Sequence, residues 1–123
     1  MSEPNLPAGA AAAEYKTAAP GCACTLFAVV RANGALERGC KALESQRLDD
    51  GIYRVRFDRD VSSCAWVATI GLPDDGISPP GEISVAGSIQ PDVVVVRTFM
   101  SLGNPADRPF HLAVHCCPEE DKD

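Results

Sequence analysis

Eight side chains of types suited to covalent or metal chemistry punctuate this chain: cysteines at 22, 24, 40, 64, 116 and 117, and histidines at 111 and 115. Six cysteines in 123 residues lean toward a disulfide framework. Cys64 keeps phase with Trp66, and Cys116 with Phe110, Leu112 and Val114, so each points to the apolar side of its segment. Inward cysteines on separate strands can bridge when their Cα atoms lie within about 7 Å. Closing a loop of this length stabilises a fold by roughly 4 kcal/mol in the chain-entropy account. The alternative is a pair of buried thiols packed as small apolar groups. Cys22 and Cys24 are poorly placed to bond each other and could reach Cys40 or Cys117, in the same chain or in a neighbour. Six thiols permit about fifteen full pairings, so connectivity stays open at this point.

His111, His115 and Cys117 share the outward phase of the last apolar segment, and imidazole with thiolate suits zinc. Positions i and i+4 of a strand are roughly 13 Å apart, too far for one tetrahedral site, so these are expected to be surface histidines. A site shared around a symmetry axis is the remaining metal option. Asp49, Asp50, Asp58 and Asp60 could offer oxygens to calcium, but the EF-hand spacing is absent and solvated turns are expected. There is no nucleophile elbow, phosphate loop or paired-histidine metalloprotease motif. His111 and His115 could act as a base and Cys117 as a nucleophile, yet no orienting partner is evident. A protein without catalytic activity or cofactor is expected.

The elements that must hold these side chains follow from an apolar period of two. Tyr53, Val55 and Phe57 alternate with Arg54 and Arg56; Cys64, Trp66, Ala68 and Ile70 alternate with Ser63 and Thr69. The connector Asp58-Arg59-Asp60 is short and polar, which predicts near-neighbour strands. Residues 25–31 and 35–38 flank Asn33-Gly34, the signal for a type I′ hairpin. Residues 40–49 fit a helical turn or an irregular edge strand. Strands are predicted over 82–86, over 93–99 (apolar on both phases, so covered on both sides or held in a subunit contact) and over 109–116. The whole predicts an all-β, antiparallel, jelly-roll-like sandwich of seven to eight strands. Residues 1–21 are expected to be a flexible or assembly arm, 22–117 the sandwich and 118–123 a charged tail.

At this length a single core is possible. The net charge of −6 argues against a phosphate-binding surface. No apolar segment approaches the roughly 20 residues of a membrane span. Residues 1–8 have neither the basic nor the apolar region of a conventional signal peptide. That sits against the cysteine content, because cytosolic thiols stay reduced. An extracellular or virion-associated location is expected.

The run from Gly51 through Tyr53, Val55, Phe57, Asp58, Cys64 and Trp66 to Gly71 carries a resemblance, together with Val94 to Phe99 and Asp107 to Cys116. It resembles the small β-domains that end many actinobacterial and phage tail-fibre-like proteins. Those domains resemble the trimeric jelly-roll heads of complement and tumour-necrosis-factor-like proteins. The resemblance implies a homotrimer that presents loops or walls to a cell-surface receptor. This chain adds the cysteines at 22, 24, 40 and 117. The expected function is a structural or receptor-recognition subunit of an extracellular or phage-related assembly, with Ile52, Val94 and Val96 at the subunit contact. Two alternatives stand beside it: a self-polymerising filament or shell subunit linked through the arm and Cys22 or Cys24, and a metal-binding or enzymatic sandwich using His111 and His115.

Overall fold

A computed structural model describes residues 25–117. It contains eight strands: β1 Thr25–Val30, β2 Leu36–Cys40, β3 Ala42–Asp49, β4 Ile52–Phe57, β5 Ala65–Ile70, β6 Glu82–Gly87, β7 Val93–Phe99 and β8 Phe110–His115. Two four-stranded sheets form, sheet A in the order β2-β1-β8-β5 and sheet B in the order β3-β4-β7-β6. Every pairing is antiparallel. The compact unit runs from Thr25 to Cys116, and the fold is the expected all-β sandwich. No helix of the described residues is long and apolar enough to cross a membrane. The arm, the tail and the expectations for Cys22 and Cys24 lie outside the described residues.

Alternation explains which residues meet in the middle. Leu26, Ala28 and Val30 of β1 and Phe110, Leu112 and Val114 of β8 face Tyr53, Val55 and Phe57 of β4 and Val94 and Val96 of β7. Apolar side chains cannot hydrogen-bond to water, so each sheet turns its apolar phase toward the other. Tyr53 and Phe110 touch edge-to-face across the core at 5.1 Å. The Tyr53 hydroxyl donates to the Ala32 carbonyl at 2.6 Å and accepts the Arg108 N–H at 3.2 Å. Burial, reinforced by the Asp107 charge, pushes this phenol above its ordinary pKa.

Three expectations change. The strands 52–57 and 65–70 are not edge neighbours: β4 belongs to sheet B and β5 to sheet A. Each has one apolar face, and placing those faces opposite each other buries both, whereas side-by-side pairing would bury neither. The Asp58-Arg59-Asp60 connector therefore carries the chain across the sandwich, and Val61 behind it is fully buried. Val94 and Val96 are also fully buried, within this chain's own core, so they cannot form a subunit contact. Ile52, the third contact candidate, is half-buried beside Arg97. The Asn33-Gly34 turn is not type I′, because Asn33 does not adopt positive φ. Instead Gly34 alone does, at 95°, Gly34 N–H donates to the Arg31 carbonyl and the Asn33 side chain accepts the Ala35 N–H. Of the two forms expected for residues 40–49, the irregular edge strand is the one found, over 42–49, since pairing with β4 outweighs local helix propensity. Register shifts at Ala42/Glu44 and Arg47/Asp49 leave Leu43 and Leu48 outside the ladder.

Two ties reinforce the fold, one within sheet A and one between the sheets. Cys64 and Cys116 are disulfide-bonded, with Cα atoms 4.6 Å apart. The bond continues the β5–β8 register, in which Ala65 lies opposite His115, so it is a cross-strand staple on the inner face. The second tie is Asp107, which accepts the Gly51 N–H at 2.8 Å and the Arg47 Nε–H at 2.8 Å. Gly51 adopts φ 65°, and a Cβ there would collide with the Thr98 carbonyl. Only glycine fits that turn without strain.

Replacing Cys64 and Cys116 together by alanine should cost about 4 kcal/mol for a separation of 52 residues, measured by denaturant unfolding. A second expectation concerns acid. Burial alone would raise the Asp107 carboxyl, but the Gly51 N–H and the Arg47 guanidinium outweigh it and hold the group below its ordinary value. Its stabilising contribution is therefore complete above about pH 4 and lost as pH falls toward the folded-state value. Asp107→Asn should remove that part of the acid slope in stability measured between pH 5 and 2, leaving a flatter profile.

Candidate functional site: the outer face of sheet A

The two outer faces of the sandwich differ in kind. On sheet B, Glu44 Oε2 lies 3.0 Å from Arg56 Nε and 3.6 Å from Arg54 Nη1. Asp92 is 3.8 Å from Arg56, and Arg54 donates to Gln90 at 3.0 Å. The hydrogen bond and charge of Arg56 hold Glu44 below the usual carboxylate range. Arg97 sits over the Phe99 ring at 5.5 Å. The β3–β4 part of this face is a mesh of paired charges, while β7 adds Val93, Val95 and Phe99 beside Arg97.

Sheet A presents something else. Opposed residues of an antiparallel pair share a face, so the registers assemble outward rows across its strands. One row reads Cys40, Phe27, Ala113, Val67; a second reads Arg38, Val29, His111, Thr69; a third reads Thr25, His115, Ala65. Phe27 is 39% exposed and Val67 58%, although both are large and apolar. Between them runs a shallow groove of about 410 Å3, lined by Phe27, Val29, Val67, Thr69, His111 and Arg38.

Its polar members are already engaged. The His111 Nε2–H donates to the Leu72 carbonyl at 3.0 Å, and Arg38 Nη1 donates to the Pro73 carbonyl at 3.0 Å. Arg31 reaches Asp74 at 3.1 Å. The three contacts strap residues 72–74 over one end of the groove. Thr69 Oγ1 donates to the Ile70 carbonyl at 3.3 Å, and His115 Nδ1 meets Thr25 Oγ1 at 3.2 Å. What the groove offers a visitor is therefore chiefly apolar area.

The structure places the remaining candidates as follows. His111 and His115 stand on one strand in different rows, each with its own partner. Among the described residues no group of three or more His, Cys, Asp or Glu could hold a metal ion. Asp60 accepts the Ser62 N–H and hydroxyl, and Asp50 pairs with Arg47, so these acids serve their own turns. Cys40 is disulfide-bonded, and Cys117 is exposed at the end of the described chain. The outward row of sheet A is not among the expected sites. A signal for it existed: residues 65–70, Ala-Trp-Val-Ala-Thr-Ile, carry no charge on either phase, whereas β4 puts Arg54 and Arg56 outward.

No known family, curated protein or solved structure matches this chain.

His111→Ala should release the strap without disturbing the core. Hydrogen exchange over residues 72–75 is expected to accelerate several-fold, with a global stability loss of only about 1 kcal/mol. Unchanged exchange there would show that Arg38 and Arg31 suffice.

Proposed function

We propose that this chain is a non-enzymatic assembly or recognition subunit, in which identical copies associate through the sheet A side of the sandwich. The observation that carries the proposal is the row Phe27–Ala113–Val67, which crosses three adjacent strands and leaves large apolar side chains in water. A face of this kind, opposite one that carries the ion pairs of Glu44, Arg54, Arg56 and Asp92, marks an interaction surface. The engaged state of His111, Arg38 and Thr69 favours an apolar protein surface over a polar small ligand. It also weighs against the metal-binding or enzymatic alternative based on His111 and His115.

The disulfide between Cys64 and Cys116 supports an oxidising location, outside the cell or on a virion. A receptor-recognition role and a closed trimer are what the resemblance to tail-fibre-like β-domains implies. No family match carries the trimer across, so the number of copies is read from the measured mass. The polymer linked by the arm and by Cys22 or Cys24 stands second, because Cys40 on the same face is bonded within this chain and is not available to a neighbour.

Light scattering under oxidising and reducing conditions tests the proposal. A mass above one 13.0-kDa chain is expected in both, because the contact is apolar and not covalent. Phe27→Asp should weaken association at least tenfold, roughly 1.4 kcal/mol, while leaving the melting transition intact. A wild-type monomer at every concentration would overturn the proposal, and loss of the oligomer on reduction alone would favour the covalent second reading.

A further inference from the structure

Asparagine or aspartate followed by glycine is a chemically labile pair. The glycine nitrogen can attack the side-chain carbonyl carbon before it, because glycine has no Cβ to block the approach. Asparagine then loses ammonia, and aspartate loses water, to give a succinimide ring. Water reopens the ring at either carbonyl. The products are aspartate and isoaspartate, in which the main chain runs through the side-chain carbon. The chain has three such pairs: Asn33-Gly34, Asp50-Gly51 and Asp75-Gly76.

The fold holds two of them. Gly34 N–H donates to the Arg31 carbonyl at 2.8 Å while Asn33 Oδ1 accepts the Ala35 N–H at 3.0 Å, so attack would break both bonds. Gly51 N–H donates to Asp107 Oδ1 at 2.8 Å, and Asp50 Oδ1 pairs with Arg47 Nη2 at 2.5 Å. Both glycines are buried, and a Cβ on either would strike backbone, that of Arg47 or of Thr98. Neither turn has room to bring nitrogen to carbon or to take the longer isoaspartyl link. Asp75 and Gly76, by contrast, are exposed. What a Cβ on Gly76 would meet is the movable tip of the Leu72 side chain. That pair lies in the β5–β6 loop, directly after the strap of residues 72–74.

We propose that Asp75 is a site of spontaneous isomerisation to isoaspartate, and that its conversion loosens the strap over the sheet A groove. The proposal concerns a single chain and is independent of the association reading. The Gly76 nitrogen bonds to the Asp75 side-chain carbonyl carbon, and its proton leaves with the carboxyl oxygen as water. Water then adds to the Asp75 main-chain carbonyl carbon, the old peptide C–N bond breaks, and the side-chain carbonyl keeps Gly76. One water leaves and one enters, so no oxidant or further reactant is needed. The product has an extra methylene in the main chain beside Asp74. Asp74 holds the strap through Arg31 at 3.1 Å, and the longer link displaces that carboxylate first. The His111–Leu72 and Arg38–Pro73 contacts lie farther from the change.

Peptide mapping of the full chain aged in heavy-oxygen water tests the site. In the folded protein the label should enter residue 75 first, as isoaspartate, with Asn33 and Asp50 unchanged. In denaturant the order should invert, Asn33 converting ahead of Asp75, because an asparagine amide reacts faster than a carboxylate once no turn restrains it. Hydrogen exchange over residues 72–75 should accelerate several-fold in the aged folded chain. It should stay constant in an equally aged Asp75→Glu chain, whose longer side chain cannot close the succinimide. Conversion of Asn33 or Asp50 first in the folded state would overturn the site, as would an unlabelled residue 75 after the denatured chain has converted. Isoaspartate at 75 with unchanged exchange would overturn the loosening of the strap. Association is decided separately, by the measured mass.

Discussion

The contact between Tyr53 and Phe110 holds the sandwich together in more than one sense. It is the place where an aromatic ring from sheet B meets one from sheet A, edge-to-face at 5.1 Å. Such a pair adds about 1 kcal/mol to the area it buries. The phenol also has a polar end in a dry place, and an unpaired hydroxyl there would be costly. Donation to Ala32 and acceptance from Arg108 satisfy it. Those two bonds pin the turn after β1 and the approach to β8, the two central strands of sheet A. One side chain thus sets the spacing of the sheets and the position of the strands that carry the apolar rows.

From that constraint the asymmetry of the surface follows. Once the sheets are spaced, every second residue points outward, and what it is decides what the face can do. Sheet B uses much of its outward phase for Glu44, Arg54, Arg56 and Arg97, beside Val93 and Val95, and these charges pair with one another or lie over the Phe99 ring. Exposed pairs of this type add little stability, but they keep the face wetted. Sheet A spends the same phase on Phe27, Val29, Ala113 and Val67. The Cys64–Cys116 staple at the β5–β8 junction holds the outermost strand of that face in register. An apolar face of this kind is covered by association and would stand in water on a solitary molecule.

Alternation in 52–57, 65–70 and 110–115 was legible because one buried face imposes a period of two whatever the strand's partner. The inward phase of Cys64 and Cys116 was legible for the same reason, and it made their bridge an open possibility. Pairing was not legible. A short connector such as Asp58-Arg59-Asp60 suits a hairpin and a crossing between sheets equally well, and only the gain from facing two apolar surfaces chooses the crossing. The valine run 93–96 misled in a related way, since Val94 and Val96 are apolar for their own core and not for a neighbour.

The amino-acid order by itself determined the all-β class, the approximate strands and the direction each apolar side chain takes, because these depend on neighbours one or two residues away. Only the tertiary structure decided which strands share a sheet, that 42–49 is an edge strand, and that Phe27, Ala113 and Val67 form a row. Those three residues are separated by tens of positions in the chain, and no local rule relates them. Their adjacency exists only after β8 has inserted between β1 and β5, which is a consequence of packing two faces into one core.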